Sequence, residues 1–227
     1  MRKTFAITSN VAKFTASMEK IQRRDEGVPS MALIYGEPGL GKTRTALWWC
    51  NKNDGVFVRS KKLMTGCWLL EEIVAELGEA PMRRTSDLFR QVVDQLLTRS
   101  RPLMIDEADY LCYDSRVIET LRDIYDVTNS PVIFIGMDQA DKKLRRYRHL
   151  YDRFSEIVKF IDLTAADVRA IADELCEARL ADDAVEHIHS KSSKFRRIIV
   201  ELYKAEAVAR ANRLEIVTSA NLNGGGK

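Results

Sequence analysis

The chain lacks any apolar run long enough to cross a bilayer. Its longest, 31-MALIY-35 and 131-PVIFIGM-137, fall far short of the roughly 20 residues a membrane helix needs. The opening residues, 1-MRKTFAITSN-10, have neither the apolar stretch nor the small-residue cleavage site of a secretory signal. Cysteine is sparse and scattered. Cys50, Cys67, Cys112 and Cys176 show no CxxC spacing, so neither a zinc site nor a disulfide framework is suggested. Cys50 and Cys176 stand in apolar helical contexts and are expected to be buried packing residues. No internal repeat is visible. These absences fit a reducing cytoplasm and no membrane partner. What remains is ordinary globular composition, 45% hydrophobic and 30% charged over 227 residues, enough for one large domain or one domain with a small appendage.

The net charge of +3 is small, but it is unevenly spread. Lys142, Lys143, Arg145, Arg146, Arg148, Arg153 and Lys159 crowd residues 139–160, and seven further basic groups fall in 190–213. The stretch 162–186 between them is acidic. Such segregation suits polyanion contacts or complementary subunit faces, although solvated helix surface gives the same pattern.

Short β-rich runs alternate with helical patterns. The runs are 31–36, 55–59, 102–106, 131–136 and 157–163, and three are apolar almost throughout, as strands covered on both faces should be. Helical stripes occupy 8–21, 43–50, 86–97 (with Ser86 as N-cap) and 115–127. Alternation of this kind implies right-handed crossovers and a parallel sheet flanked by helices, an α/β fold. Beyond Leu163 no strand is expected, only three helices near 164–180, 182–190 and 194–212. The division is therefore an α/β domain over 1–163, a helical lid over 164–213 and a disordered tail over 214–227.

Two motifs carry chemistry. The stretch 36-GEPGLGKT-43 satisfies G-x-x-x-x-G-K-[ST] and lies after an apolar strand and before a helix. Its glycines let backbone N–H groups converge on phosphate oxygens at a helix N-terminus. The whole loop, Gly36, Glu37, Pro38, Gly39, Leu40, Gly41, Lys42, Thr43 and Arg44, is the candidate nucleotide cradle. Lys42 would neutralise the terminal phosphates, and Thr43 would give an oxygen to Mg²⁺. The second motif, 102-PLMIDEAD-109, ends an apolar strand in two acids. Asp106 is the second candidate metal ligand, and Glu107 the candidate base that polarises the attacking water. ATP and Mg²⁺ are the expected cofactors.

In this order of elements the chain resembles the AAA+ P-loop ATPases over about residues 5–213. The resemblance implies a five-stranded parallel sheet of order 5-1-4-3-2 with a small C-terminal helical lid. It also implies a sensor at the tip of the fourth strand, best matched by Asp138, with Gln139 as the alternative. The family more often has Asn, Thr or Ser there. An arginine finger for a neighbouring subunit is implied shortly before the fifth strand. Arg145, Arg146, Arg148 and Arg153 are available, and Arg153 is favoured by its RF context. The lid sensor maps onto Arg196 in 193-SKFR-196, where Ser193 replaces the usual Gly. Adenine is expected between the N-terminal helix and the lid, near Thr8, Asn10 and Val11.

The segments 8–22 and 31–49 are similar to phage Mu B-type transposition ATPases and their TnsC-like and IstB-like relatives. That likeness implies non-specific binding of duplex DNA by a homo-oligomeric helical filament, which presents the DNA to a transposase and stimulates it. The place implied is the bacterial host cytoplasm, at the nucleoid. The family's DNA-facing segment corresponds to 59-RSKKLMTGCW-68 and makes Arg59, Lys61, Lys62 and Thr65 candidates for phosphate contacts. A Lys-Lys pair after an edge strand also protects against aggregation. Lys142, Lys143 and Arg145 form a second patch. The main rival is a helicase loader, whose partner-binding terminal segment the short ends are not expected to supply. A signalling module would need further domains, and a nucleotide kinase a lid rich in paired arginines.

Overall fold

The computed structural model describes residues 1–25 and 27–223. The chain divides into two units. One comprises Phe14–Pro38 and Lys42–Phe160; the other comprises Met1–Lys13, Gly39–Gly41 and the chain from Ile161 onward.

The first unit holds the sheet. Its strands are β1 (Met31–Tyr35), β2 (Val56–Arg59), β3 (Leu103–Asp106), β4 (Val132–Ile135) and β5 (Phe154–Lys159). They run in the order β2-β3-β4-β1-β5, all neighbours parallel, which read from the other edge is the expected 5-1-4-3-2. β3 and β4 are buried at every position, as their unbroken apolar runs require. The helices of this unit are α2 (Lys42–Asn53), α3 (Gly66–Glu76), α4 (Thr85–Thr98), α5 (Ser115–Thr128), and the short α6 (Ala140–Leu144) and α7 (Arg148–Tyr151). A 3-10 helix, Ala108–Tyr113, follows β3. α1 (Ser9–Gln22) begins in the second unit and runs into the first, where Phe14, Met18 and Ile21 are buried.

Several local expectations need correction. Ser86 is not the cap of α4; Arg84 precedes the helix without a side-chain cap bond. α3 falls where no helix was expected. Thr65 starts it by accepting the Trp68 amide at 3.2 Å, and Leu69, Leu70, Ile73 and Val74 bury its inner face. β5 runs over 154–159 rather than 157–163. Its register is set by β1, with Tyr35 opposite Lys159, so the apolar residues that follow lie beyond the end of its partner.

In the second unit, α8 (Ala165–Leu175), α9 (Asp182–Lys191) and α10 (Phe195–Asn212) surround a core of Val168, Ile171, Ile188, Ile198 and Leu202. Strands do not stop at Leu163. Arg179–Leu180 (β6) pairs in parallel with Ile216–Val217 (β7), and α11 (Ser219–Asn223) follows. The supposed disordered tail is thus ordered over 216–223, because Val217 fills the core and Leu222 packs against it. Residues 224–227 lie outside the described residues. The N-terminal segment also clusters here rather than with the sheet. Asp167 accepts from Ser9 N at 2.6 Å and Ser9 Oγ at 2.9 Å, and it closes a capping box with Thr164 on α8.

Candidate nucleotide site

The phosphate loop begins where β1 ends. Gly36 adopts φ of 149°, and a Cβ there would lie 2.4 Å from the Phe160 carbonyl oxygen. Only glycine lets β1 turn at this point. The chain then enters α2, and the positive end of a helix dipole favours an anion. Lys42 folds back over the loop, donating to Gly36 O at 2.7 Å and Glu37 O at 2.8 Å. Burial lowers its pKa, while the charges of Asp106, Glu107, Asp109 and Asp138 act in the opposite direction. Four carboxylates therefore act on one ammonium, that of Lys42.

Thr43 Oγ1 donates to Asp106 Oδ2 at 2.9 Å, so the two candidate metal ligands are in contact. A hydroxyl and a carboxylate in contact form a hard-oxygen donor pair. That suits Mg²⁺, which takes few protein ligands and fills its octahedron with water and phosphate oxygens. Asp106 is 3% exposed, and the Arg59 Nε donates to the same Oδ2 at 3.1 Å. Arg59 stands opposite Asp106 in the β2–β3 register. Ser60 Oγ reaches Asp106 O at 2.8 Å and Glu107 O at 2.6 Å. It thereby holds the peptide on which the two acids follow one another.

Glu107 has left-handed backbone, φ 56° and ψ 35°, a costly conformation for a residue with a Cβ. Burial first, and the Asp106 charge second, push its carboxyl above the usual glutamate range. A half-buried carboxylate beside a candidate metal ligand, with a raised affinity for protons, is suited to accept one from water.

The remaining candidates are placed less uniformly. Asp138 is paired with Lys159 at 3.2 Å. Gln139 precedes α6 without a capping bond. Arg153 grips Asp126 of α5 with two bonds of 2.7 Å and also donates to His149 O. Arg145 is paired with Asp141 at 3.0 Å and lies over the Tyr151 ring. Arg146 and Arg148 are exposed. In the second unit, Arg196 is exposed and its amide donates to Gly39 O at 3.1 Å. Asn10 is 1% exposed, its amide closed in a double hydrogen bond with the Ile161 backbone; Thr8 and Val11 are buried. Side-chain polar atoms of Asn10 are thus engaged in a structural tie.

The proposed DNA segment is divided by the fold. Arg59 belongs with Asp106, Thr65 is a helix cap, and Lys61 is 2.6 Å from Glu72 and over the Trp68 ring. Lys62 remains exposed beside Leu63, which is 82% exposed. In the second patch Lys143 faces Asp109 and Tyr113, and Lys142 is exposed. Sequence reasoning gave no role to Ser60, Asp126 or Lys159. Each acts through a partner distant in the chain, and no local pattern marks it.

A family model described as AAA domain matches residues 25–144, more than half of the chain. The chain is 29% identical over 154 residues to the "ATP-dependent target DNA activator B" of Escherichia phage D108, covering 63% of this chain and 48% of that protein. The counterpart in Escherichia phage Mu matches at the same identity and coverage. A "potential ATP-binding protein" of Staphylococcus aureus is 33% identical over 182 residues, covering 63% of this chain and 64% of its own length. The chain thus spans about half the length of the phage relatives. Among solved structures, the Aeropyrum pernix ORC2 protein superposes with a TM-score of 0.75 at 16% identity, covering 98% of this chain and 69% of that one. Thermotoga maritima RuvB does so with 0.64 at 20% identity, covering 96% and 69%. These two likenesses concern the fold. With the phosphate loop, the acid-ended β3 and the matched sheet order in place, the chain belongs to the AAA domain family.

Proposed function

We propose that this protein is an ATPase that binds duplex DNA without sequence preference, assembles on it as an ATP-dependent filament and serves a transposase as target-selecting activator. The observation that carries the ATPase reading is the contact of Thr43 with Asp106 one residue before a carboxyl, Glu107, whose pKa is raised. The likeness to the phage target-DNA activators supports the DNA and transposition reading.

ATP enters with its terminal phosphates against Lys42 and the N-terminus of α2. Mg²⁺ would be held through Thr43 and Asp106 and would supply charge neutralisation to the phosphates. Glu107 takes a proton from the water that attacks the γ-phosphorus, the bond from that phosphorus to the β–γ bridging oxygen breaks, and ADP and phosphate leave. Asp138 orients that water, and Arg196 remains the candidate lid contact. An arginine from the next protomer completes the site, and the head-to-tail repeat of this contact generates an open helix. Loss of the γ-phosphate loosens the contact and the hold on DNA. Lys62 and Lys142, both exposed, contact DNA phosphates, so binding weakens steeply with salt.

Electron microscopy with duplex DNA and a slowly hydrolysed ATP analogue tests the reading. Continuous helical coating is expected from the wild type and none from Lys42→Ala. Discrete closed rings would favour a helicase loader. Equal DNA affinity with and without nucleotide would remove the ATP gate.

A further inference from the structure

Among the described buried acids of the first unit, the mechanism above leaves Asp109 without a task. Asp109 is 4% exposed and lies on the 3-10 helix two residues after Glu107. Its Oδ2 accepts the Met137 amide at 2.5 Å, and its Oδ1 faces Lys143 Nζ at 3.7 Å. Met137 immediately precedes Asp138, on the turn that follows β4. One carboxylate therefore ties the turn bearing the proposed base to the turn bearing the proposed water-orienting acid.

The neighbouring glycine is shaped to this contact. A Cβ on Gly136 would fall 2.7 Å from Asp109 Oδ2 and 2.4 Å from Ala140 Cβ. A side chain at 136 would force Ala140, Asp109 or the turn itself to shift, and each shift disturbs the contact with the Met137 amide. Gly136 N meanwhile donates to Ile34 O at 2.9 Å, which continues the sheet ladder toward the phosphate loop. Glu107 needs such anchorage. Its left-handed backbone is strained, and strain persists only where the surroundings over-determine it. Ser60 holds its carbonyl oxygen from one side. Asp109 holds the downstream turn from the other, and Tyr110 N closes that turn on Glu107 O at 3.0 Å.

We infer that Asp109 is a positioning residue for hydrolysis: by accepting the Met137 amide it keeps Glu107 and Asp138 at one spacing around the phosphate site. It touches no substrate in this role. A displacement of about 1 Å between reacting groups costs on the order of a hundredfold in rate, so a partial loosening still has a large effect. Nucleotide binding, which rests on Lys42, Thr43 and the loop backbone, is affected little. The inference depends on the ATPase reading.

The test compares Asp109→Ala, Asp109→Asn and Gly136→Ala in the full chain. It measures ATP turnover, nucleotide affinity and hydrogen exchange at Met137. Asp109→Ala is expected to lower kcat about tenfold or more, to change nucleotide affinity less than about threefold, and to speed exchange of the Met137 amide. Asp109→Asn, which keeps an acceptor oxygen, should stay within about threefold of wild type by all three measures. Gly136→Ala should reproduce the Asp109→Ala pattern from the other side of the contact. If Asp109→Ala does not fold, the contrast between Asp109→Asn and Gly136→Ala decides. Wild-type turnover in Asp109→Ala, or affinity lost in step with turnover, would overturn this role alone. So would an Asn variant as impaired as Ala. A wild-type chain that hydrolyses no ATP would overturn the ATPase reading and this role with it.

Discussion

Lys159 Nζ stands 3.2 Å from Asp138 Oδ1, which joins the end of β5 to the turn after β4. Asp138 also contributes to the field at Lys42. Without its lysine, this acid would oppose the extra negative charge that distinguishes ATP from ADP. Lys159→Ala is therefore expected to weaken ATP about threefold to tenfold and ADP less, as a partly solvated charge at several ångströms should. Asp138→Asn in the same background should restore the difference. Equal loss for both nucleotides in titrations with a fluorescent analogue would refute the idea.

Glu107 must be ionised to accept a proton. Its pKa is raised by burial and by Asp106, so turnover should fall as pH drops through that raised value. The acid limb of kcat then lies above ~4.3, the ordinary glutamate value. Arg59 pulls the pKa down, and Arg59→Ala should move the limb to higher pH. Glu107→Gln should retain ATP and DNA while abolishing turnover. A limb unmoved by Arg59→Ala would indicate a different base.

Arg153 is held in its own chain by Asp126 at 2.7 Å. To serve a neighbouring protomer it would have to exchange that partner. The expectation is that Arg153→Ala and Asp126→Ala lower thermal stability alike. Arg146→Ala or Arg148→Ala, at exposed positions, should instead lower hydrolysis by assembled protein by about 10³-fold, the usual scale for a lost trans arginine. A well-folded Arg153→Ala that alone abolishes hydrolysis on DNA would identify Arg153 as the finger.

Asp167 accepts from both the backbone and the hydroxyl of Ser9 and of Thr164. Burial alone would raise its pKa, but these hydrogen bonds outweigh burial and hold it below the aspartate range. A folded pKa below the unfolded one means stability is fully present above ~3.9 and lost as pH falls through the folded value. Asp167→Ala should cost about 2–4 kcal/mol by leaving buried donors unmet. Denaturant unfolding at pH 7 and pH 3 checks both statements: the gap between wild type and variant should shrink at the lower pH.

Much of the candidate nucleotide site was legible because its residues are contiguous. Gly36 to Thr43 form one loop, and Asp106-Glu107 end one strand, so spacing alone implies their geometry. Asn10 was noticed for a different reason from the one the fold gives it: its amide closes on Ile161, 151 positions away. Thr65 and Lys61 looked like a basic, hydroxyl-bearing stripe. In the fold one caps α3 and the other meets Glu72, because a helix begins where none was expected. The segment 216–223 looked unsupported because its partner strand lies at Arg179–Leu180, far back in the sequence.

The amino-acid order by itself determined the alternation of strand and helix, the phosphate loop and the acid pair, since each depends on spacing within a few residues. Tertiary structure decided which charges meet: Arg59 with Asp106, Arg153 with Asp126, Lys159 with Asp138 and Asp109 with the Met137 amide. These partners come from different elements. Their meeting depends on strand order and register, which set the distance between side chains that no local pattern can bring together.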